Sequence, residues 1–224
     1  MEMNMYDKMQ QLQFLQGLNF SDFNDILTSI SLDFNTYNEG DVIVHQGDIC
    51  DKLIYILDGT FEVEYRDNEQ SIMICETSNA NPYLIEPYNM YSIKRRYERS
   101  YIFKTKGSTF TISKNVFNTK LLQHKIIRSN LINYLSNQIT KEHSKAFFNL
   151  PLNIEKRIVA FINSFCLFPT GEKTIHIKME TLAEIIDETR LNVSKVLNKW
   201  DAHKLIEMKR LTFYIPEFSR LNEL

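Results

Sequence analysis

Residues Met179 to Arg210 read METLAEIIDETRLNVSKVLNKWDAHKLIEMKR. Leu182, Ala183, Ile185 and Ile186 recur at helical spacing and predict a helix of two to three turns. Asp187-Glu188 supplies a tight turn, Asp being one of the few residues that tolerate left-handed backbone. Thr189 follows as an N-cap, because its hydroxyl can accept an orphan N–H at a helix start. The next helix places Val193, Val196, Leu197 and Trp200 on one face, and Arg190, Asn192, Ser194, Lys195 and Lys199 away from it or on its edges. Leu205-Ile206-Glu207-Met208 and Leu211-Thr212-Phe213-Tyr214-Ile215 form a final hairpin around Lys209-Arg210.

Helix, short turn, helix and hairpin make the layout of a winged helix-turn-helix. From Thr189 to Lys204 the bases Arg190, Lys195, Lys199 and Lys204 stand against the single acid Asp201, a local excess of +3. Arg and Asn can read base edges, while Ser, Thr and Lys can hold phosphates. The alternative is a solvated face on a small helical domain. Three-helix domains of other function share this outline.

Upstream, the pattern falls into distinct regions. Residues 4–30 read as two short helices, the second with Ser21 as its cap and Phe23, Ile26, Leu27 and Ile30 at helical spacing. Residues 32–113 read as short strands. They are Val42-Ile43-Val44, Leu53 to Leu57, Phe61 to Tyr65, Ile72-Met73-Ile74, Tyr101-Ile102-Phe103 and Phe110-Thr111-Ile112. Turns are expected at Gly40-Asp41, Gly47-Asp48, Asp67-Asn68 and Gly107, and a hairpin at Asp58-Gly59. Close spacing of this kind predicts a small antiparallel barrel or roll. Residues 114–142 hold no Gly or Pro and predict one long helix. Phe117, Leu121, His124, Arg128, Leu131 and Leu135 form an a/d seam on it, the mark of a partner helix and a homodimer. Residues 144–150 read as a hinge. Pro151 opens a helix whose apolar face is Ile154, Ile158, Phe161, Ile162 and Phe165, with a loop at Pro169-Thr170-Gly171. The fold class is therefore α+β. An N-terminal antiparallel β-roll, like a double-stranded β-helix or jelly roll, spans 1–113. A dimerisation helix and hinge occupy 114–146, and a winged helix-turn-helix DNA-binding domain 147–224.

Bulk properties bound the partners. Apolar residues are 43% of the 224, and the formal net charge is −2, so a nucleic-acid surface has to be local. No apolar run reaches membrane-spanning length, and Met1 to Gln16 is too polar for a signal peptide, so no membrane contact and a cytoplasmic location are expected. Cys50, Cys75 and Cys166 are widely spaced and read as reduced thiols rather than a disulfide framework or cluster site.

On these residues the chain resembles the Crp/Fnr family of bacterial transcription regulators. The family's recognition motif falls on Thr189, Arg190, Leu191, Asn192, Val193 and Lys195, with Leu191 where an acid is common and Asp187 where a turn glycine is common. The resemblance implies that Thr189, Arg190, Leu191, Asn192, Ser194, Lys195, Lys199, Lys209 and Arg210 meet double-stranded DNA, with Arg190 reading a base. It extends over EGDVIVHQGDICDKLIYILDGTFEV, Glu39 to Val63, which is similar to the strands of the family's cyclic-nucleotide-binding-like roll. Nucleotide-binding members carry a Gly-Glu-Leu segment about ten residues before an Arg-Ser pair. Arg99-Ser100 is present, but Tyr88-Asn89-Met90 lacks both the Gly and the Glu. The resemblance thus implies an effector site around Asn89, Arg99 and Ser100, an effector of unknown identity and no cyclic-AMP binding of the usual kind. Lys94-Arg95-Arg96 reads as an anion site, a solvated loop or a contact for RNA polymerase.

Neither a cofactor nor a metal nor a catalytic residue is expected. A cupin-type enzyme or ligand-binding roll without DNA binding is the alternative. Of His45, His124, His143, His176 and His203, however, only His45 lies in the roll, and a cupin needs clustered ligands. A pure interaction module that has lost DNA binding is a further alternative, opposed by Arg190 and Lys195.

Overall fold

The computed structural model of the protein describes residues 10–30, 33–69, 71–146 and 153–223. Its strands, in chain order, are β1 (Asp33–Tyr37), β2 (Val42–Val44), β3 (Lys52–Asp58), β4 (Phe61–Arg66), β5 (Ile72–Ser78), β6 (Tyr83–Leu84), β7 (Ser100–Phe103), β8 (Gly107–Ser113), β9 (Lys173–Ile177), β10 (Glu207–Lys209) and β11 (Thr212–Ile215). The helices are α1 (Phe20–Ser29), α2 (Lys114–Thr119), α3 (Lys125–Ala146), α4 (Ile154–Phe165), α5 (Met179–Ile185), α6 (Arg190–Ala202) and α7 (Ser219–Asn222). The fold is α+β, its N-terminal region rich in antiparallel sheet. The chain forms two units. Unit 1 is Met1–Thr60, Asn79–Glu98 and Phe103–Ala146; unit 2 is Phe61–Ser78, Arg99–Ile102 and Phe147–Leu224.

Unit 1 is built on the sheet β1-β8-β3-β6. Tight turns use one device twice. Asp41 Oδ2 accepts the Asn38 N–H at 2.7 Å, and Asp48 Oδ2 accepts the His45 N–H at 2.9 Å. Each Asp follows a glycine with φ near +90°. Asp58-Gly59 is not the expected hairpin, because β3 pairs with β8 and β6 while β4 pairs with β5. Gly59 and Gly107 serve close approach instead. A Cβ on Gly107 would strike the Phe103 ring and the Asp58 carbonyl, and one on Gly59 would lie 2.9 Å from the Gly107 Cα. Gly107 opens β8 rather than making a turn.

The helices of unit 1 depart from expectation in two places. The cap of α1 is Asn19, not Ser21; its Oδ1 accepts the Asp22 N–H at 2.8 Å. The long helix expected over 114–142 breaks after Thr119 into a 3-10 turn at Leu121–Gln123, then resumes as α3. The break lets both Phe117 and Leu121 bury fully, and Phe117 lies 5.5 Å from Phe14. Arg128 Nη1 donates to the Leu122 and Gln123 carbonyls, satisfying groups the break leaves open. Phe117 and Leu121 of the expected seam are therefore core of their own unit.

In unit 2 the strands run β10-β11-β9-β5-β4-β7. The β4–β5 hairpin closes at Asp67-Asn68 as expected, with Asp67 Oδ1 accepting the Ile72 N–H and Oδ2 the Ser71 hydroxyl. Strand β5 then pairs antiparallel with β9, from Ile72 opposite Ile177 to Glu76 opposite Lys173. One core joins Ile72 and Ile74 of β5, Ile175 of β9, Ile158 and Ile162 of α4, and Trp200 of α6. Helix α4 starts from Asn153, whose Oδ1 accepts the Glu155 N–H at 2.8 Å; Pro151 and most of the expected hinge lie outside the described residues. Cys50, Cys75 and Cys166 are free and buried. Burial pushes the Cys50 thiol up to about 11 and raises the Cys166 thiol as well, with nearby Glu76 adding to the latter. No described helix is long and apolar enough to cross a membrane.

Candidate nucleic-acid interface

The geometry of α6 starts in the turn before it. Asp187 takes the left-handed conformation, φ 56°. Arg157 of α4 braces this turn, donating from Nη1 to the Ile186 and Asp187 carbonyls at 3.2 and 3.1 Å, with its ion pair to Glu188 at 3.6 Å. Thr189 is the N-cap, its Oγ1 accepting the Asn192 N–H at 3.2 Å. Val193, Leu197 and Trp200 are buried, and Val196 is half-buried at the edge of the same face. That face fixes which residues point outward.

Thr189, Arg190, Leu191, Lys195 and Lys199 are exposed; Asn192 and Ser194 are half-buried. Leu191 leaves 65% of its surface to solvent, a position without core function. The wing turn between β10 and β11 exposes Lys209 and Arg210, with Leu211 at φ 60° completing the reversal. Helix α5 spans about two turns, within the two to three that its apolar pattern suggests, and Ile185 stays 45% exposed. Unit 2 thus brings together the first turns of α6 and presents a basic wing.

Three carboxylates escape the linear reading. Glu180 Oε1 lies 3.1 Å from Arg190 Nε, Glu188 Oε2 accepts from Asn192 Nδ2 at 3.2 Å, and Glu155 Oε1 accepts from Lys199 Nζ at 2.8 Å. Glu180 and Glu155 are distant in sequence from their partners, so local spacing carried no sign of them. Only Glu188, at i−4 from Asn192, was within reach of a helical-neighbour rule.

The residues expected at an effector site fall in different units. In unit 1, Asn89 is buried and donates from Nδ2 to Glu86 Oε2 at 2.9 Å; Glu86, at φ 33°, also accepts the Glu98 N–H. This buried Glu86 is a carboxylate two residues before the segment where sequence placed none. In unit 2, Arg99 Nη2 donates to the Phe165 carbonyl at 3.1 Å, and its guanidinium sits 5.7 Å from the Tyr65 ring centre. A cation here faces the C-terminal carbonyls of α4, which favours it. Ser100 is buried in β7. In unit 1, Arg95 is held left-handed at φ 47° by the Ser92 hydroxyl, and Arg95 and Arg96 are exposed.

No protein-family model matches the chain, and a search among curated proteins finds no significant match. Solved structures do resemble it. A Crp/Fnr-family protein from Eubacterium rectale is 15% identical, covering 92% of this chain and 94% of that one, with a TM-score of 0.53. The catabolite activator protein of Thermus thermophilus is 14% identical over 94% and 97%, TM-score 0.49. DNR from Pseudomonas aeruginosa is 14% identical over 99% of each chain, TM-score 0.47. At such identity the likeness concerns the fold alone, and the chain has a Crp/Fnr-like fold.

Proposed function

We propose that the protein is a homodimeric, sequence-specific DNA-binding transcription regulator and not an enzyme. The observation that carries this reading is α6. It is capped by Thr189, anchored through Val193, Leu197 and Trp200, and exposes Arg190 and Lys195, while the same unit exposes the basic wing Lys209-Arg210. A helix end so displayed suits the major groove, about 12 Å wide. In this reading residues 1–113 sense, 114–146 dimerise and 147–224 bind DNA in the cytoplasm. RNA polymerase is a further partner. The effector is a small molecule other than cyclic AMP, since Asn89 is engaged by Glu86 and Arg99 by the Phe165 carbonyl.

The test is fluorescence anisotropy on a duplex selected by the protein from a random pool and on a scrambled duplex. Arg190→Ala should cost about 1–3 kcal/mol per half-site on the selected duplex and relax its sequence choice. Equal losses on both duplexes would show that Arg190 does not read a base. Failure to bind either duplex would end the DNA-binding reading.

A further inference from the structure

We infer that Arg99 is a positioning residue for DNA reading: it holds the C-terminal end of α4, and α4 carries that restraint to the turn that aims α6. The inference rests on the DNA-reading role proposed above, and it gives Arg99 a task other than holding an effector.

Segments that the sequence pattern places in the roll close on one short stretch, Phe165 to Lys173. Arg99 Nη2 donates to the Phe165 carbonyl at 3.1 Å, at the last residue of α4. The same guanidinium sits 5.7 Å from the Tyr65 ring centre, and the Tyr65 ring lies 5.2 Å from that of Phe165. Glu76 accepts the N–H groups of Leu167 and Phe168, and Thr77 donates its N–H to the Glu172 carbonyl at 3.3 Å. The last carbonyls of a helix have no partner within it, so a cation there is favoured by charge and by hydrogen bonding together. The C-terminal end of α4 is thus held by β4, β5 and Arg99, all parts of unit 2.

The first turn of α4 meets the reading helix instead. Arg157 Nη1 donates to the Ile186 and Asp187 carbonyls at 3.2 and 3.1 Å, and Glu155 Oε1 accepts from Lys199 Nζ at 2.8 Å. Between its two ends α4 is one continuous helix of 12 residues, with Ile158 and Ile162 packed in the core that holds Trp200. Eight residues separate Arg157 from Phe165, about 12 Å of helix. Released at Phe165, such a rod shifts along or about its axis. Any shift moves the left-handed turn at Asp187 and the Thr189 cap from which α6 starts. Arg99 therefore acts on α6 through α4.

The experiment measures binding of the full-length protein to the duplex it selects from a random pool and to a scrambled duplex. Arg99→Ala should weaken binding to the selected duplex by roughly fivefold and leave the scrambled duplex and the salt slope unchanged, because a misaligned α6 loses base contacts while phosphate attraction persists. Arg157→Ala should do the same. Distant sites that act independently would multiply their losses, to roughly 25-fold. Two ends of one rod should not, so the double variant should lose no more than about fivefold. Arg99→Lys, which keeps a cation at the helix end, should recover part of the loss, and it replaces the alanine variant in the cycle if that one does not fold. Equal losses on both duplexes would mark a purely structural role and overturn the inference. Multiplied losses in the double variant, or wild-type affinity for Arg99→Ala, would overturn it too, and all three outcomes leave Arg190 as a reader. If the wild type selects no sequence at all, the DNA-reading proposal falls and this one with it.

Discussion

The carboxylate of Glu76 on β5 and the ammonium of Lys173 on β9 meet at 2.9 Å with side-chain exposures of 2% and 0%. Glu76 also accepts the N–H groups of Leu167 and Phe168, at 2.8 and 3.1 Å, and Lys173 donates to the Thr170 carbonyl at 2.8 Å. The rings of Phe168 and Phe218 flank the ammonium. The pair thus closes the loop after α4 onto the β5–β9 ladder. Burying two charges is costly, and it is tolerated here because the remaining hydrogen-bond capacity is filled. Removing one partner strands the other. Glu76→Ala is expected to destabilise unit 2 by about 3–5 kcal/mol, whereas replacing both residues with well-packed apolar ones should be far milder. Urea denaturation of the three proteins decides; a Glu76→Ala midpoint equal to that of the wild type would show that the pair is not buried in solution.

The same pairing marks where sequence reading stops. The helix-turn-helix was legible because its signals are local: Asp187 in left-handed geometry, Thr189 capping three residues ahead, apolar residues at steps of three and four. The strands β2, β4 and β5 and the turn at Asp67-Asn68 were legible for the same reason. What failed was partnership. Asp58-Gly59 looked like a hairpin, but whether two neighbouring strands pair depends on residues 107–113, some fifty positions on. The union of β5 with β9 joins segments about a hundred residues apart, and no periodicity encodes register across that distance. The partners of Arg190 and Lys199 were hidden likewise. The apolar spacing of Phe117 and Leu121 fitted a seam and a core equally well, and the core took them.

That outcome moves the expected dimer contact along α3. Ile132 and Ile139 are 62% and 61% exposed, seven residues apart, with Leu135 half-buried between them. This is an a/d-like line with no partner among the described residues of its own face. Ile132→Asp with Ile139→Asp should place like charges in the dimer contact and give a monomer in sedimentation at micromolar concentration, without lowering the melting temperature of the monomer's own fold. A wild type that sediments as a monomer, or a doubly substituted protein that remains dimeric, would rule this helix face out.

Acid should act on a different point of unit 2. Glu217 Oε1 accepts the Gly171 N–H at 2.9 Å and the hydroxyl and N–H of Ser219 at 2.8 and 3.1 Å. These donors, Gly171 first, hold its carboxyl below the ordinary carboxylate range. A depressed folded pKa gives stability that is complete above the unfolded value, about 4.3, and is lost as pH falls through the lowered folded value. The gap in melting temperature between wild type and Glu217→Gln should be open at pH 7 and close progressively below about pH 4. A gap that stays constant into acid would mean that the charge of Glu217 plays no part.

Salt dependence should separate two lysines of α6 that look equivalent in sequence. Lys195 is exposed, while Lys199 Nζ already lies 2.8 Å from Glu155 Oε1, a carboxylate that is only 19% exposed. A lysine that neutralises a phosphate releases counterions and adds close to one unit to the salt slope of binding. Lys195→Ala should therefore reduce the slope by about one unit per subunit on any duplex. Lys199→Ala should reduce it by less, because its charge is partly cancelled before DNA arrives. Glu155→Gln should then do the opposite, freeing Lys199, steepening the slope and tightening binding to specific and scrambled DNA alike. Anisotropy titrations at several salt concentrations measure all three. Equal slope losses for the two lysines, with no response to Glu155→Gln, would show that the Glu155–Lys199 pair opens on DNA at no electrostatic cost.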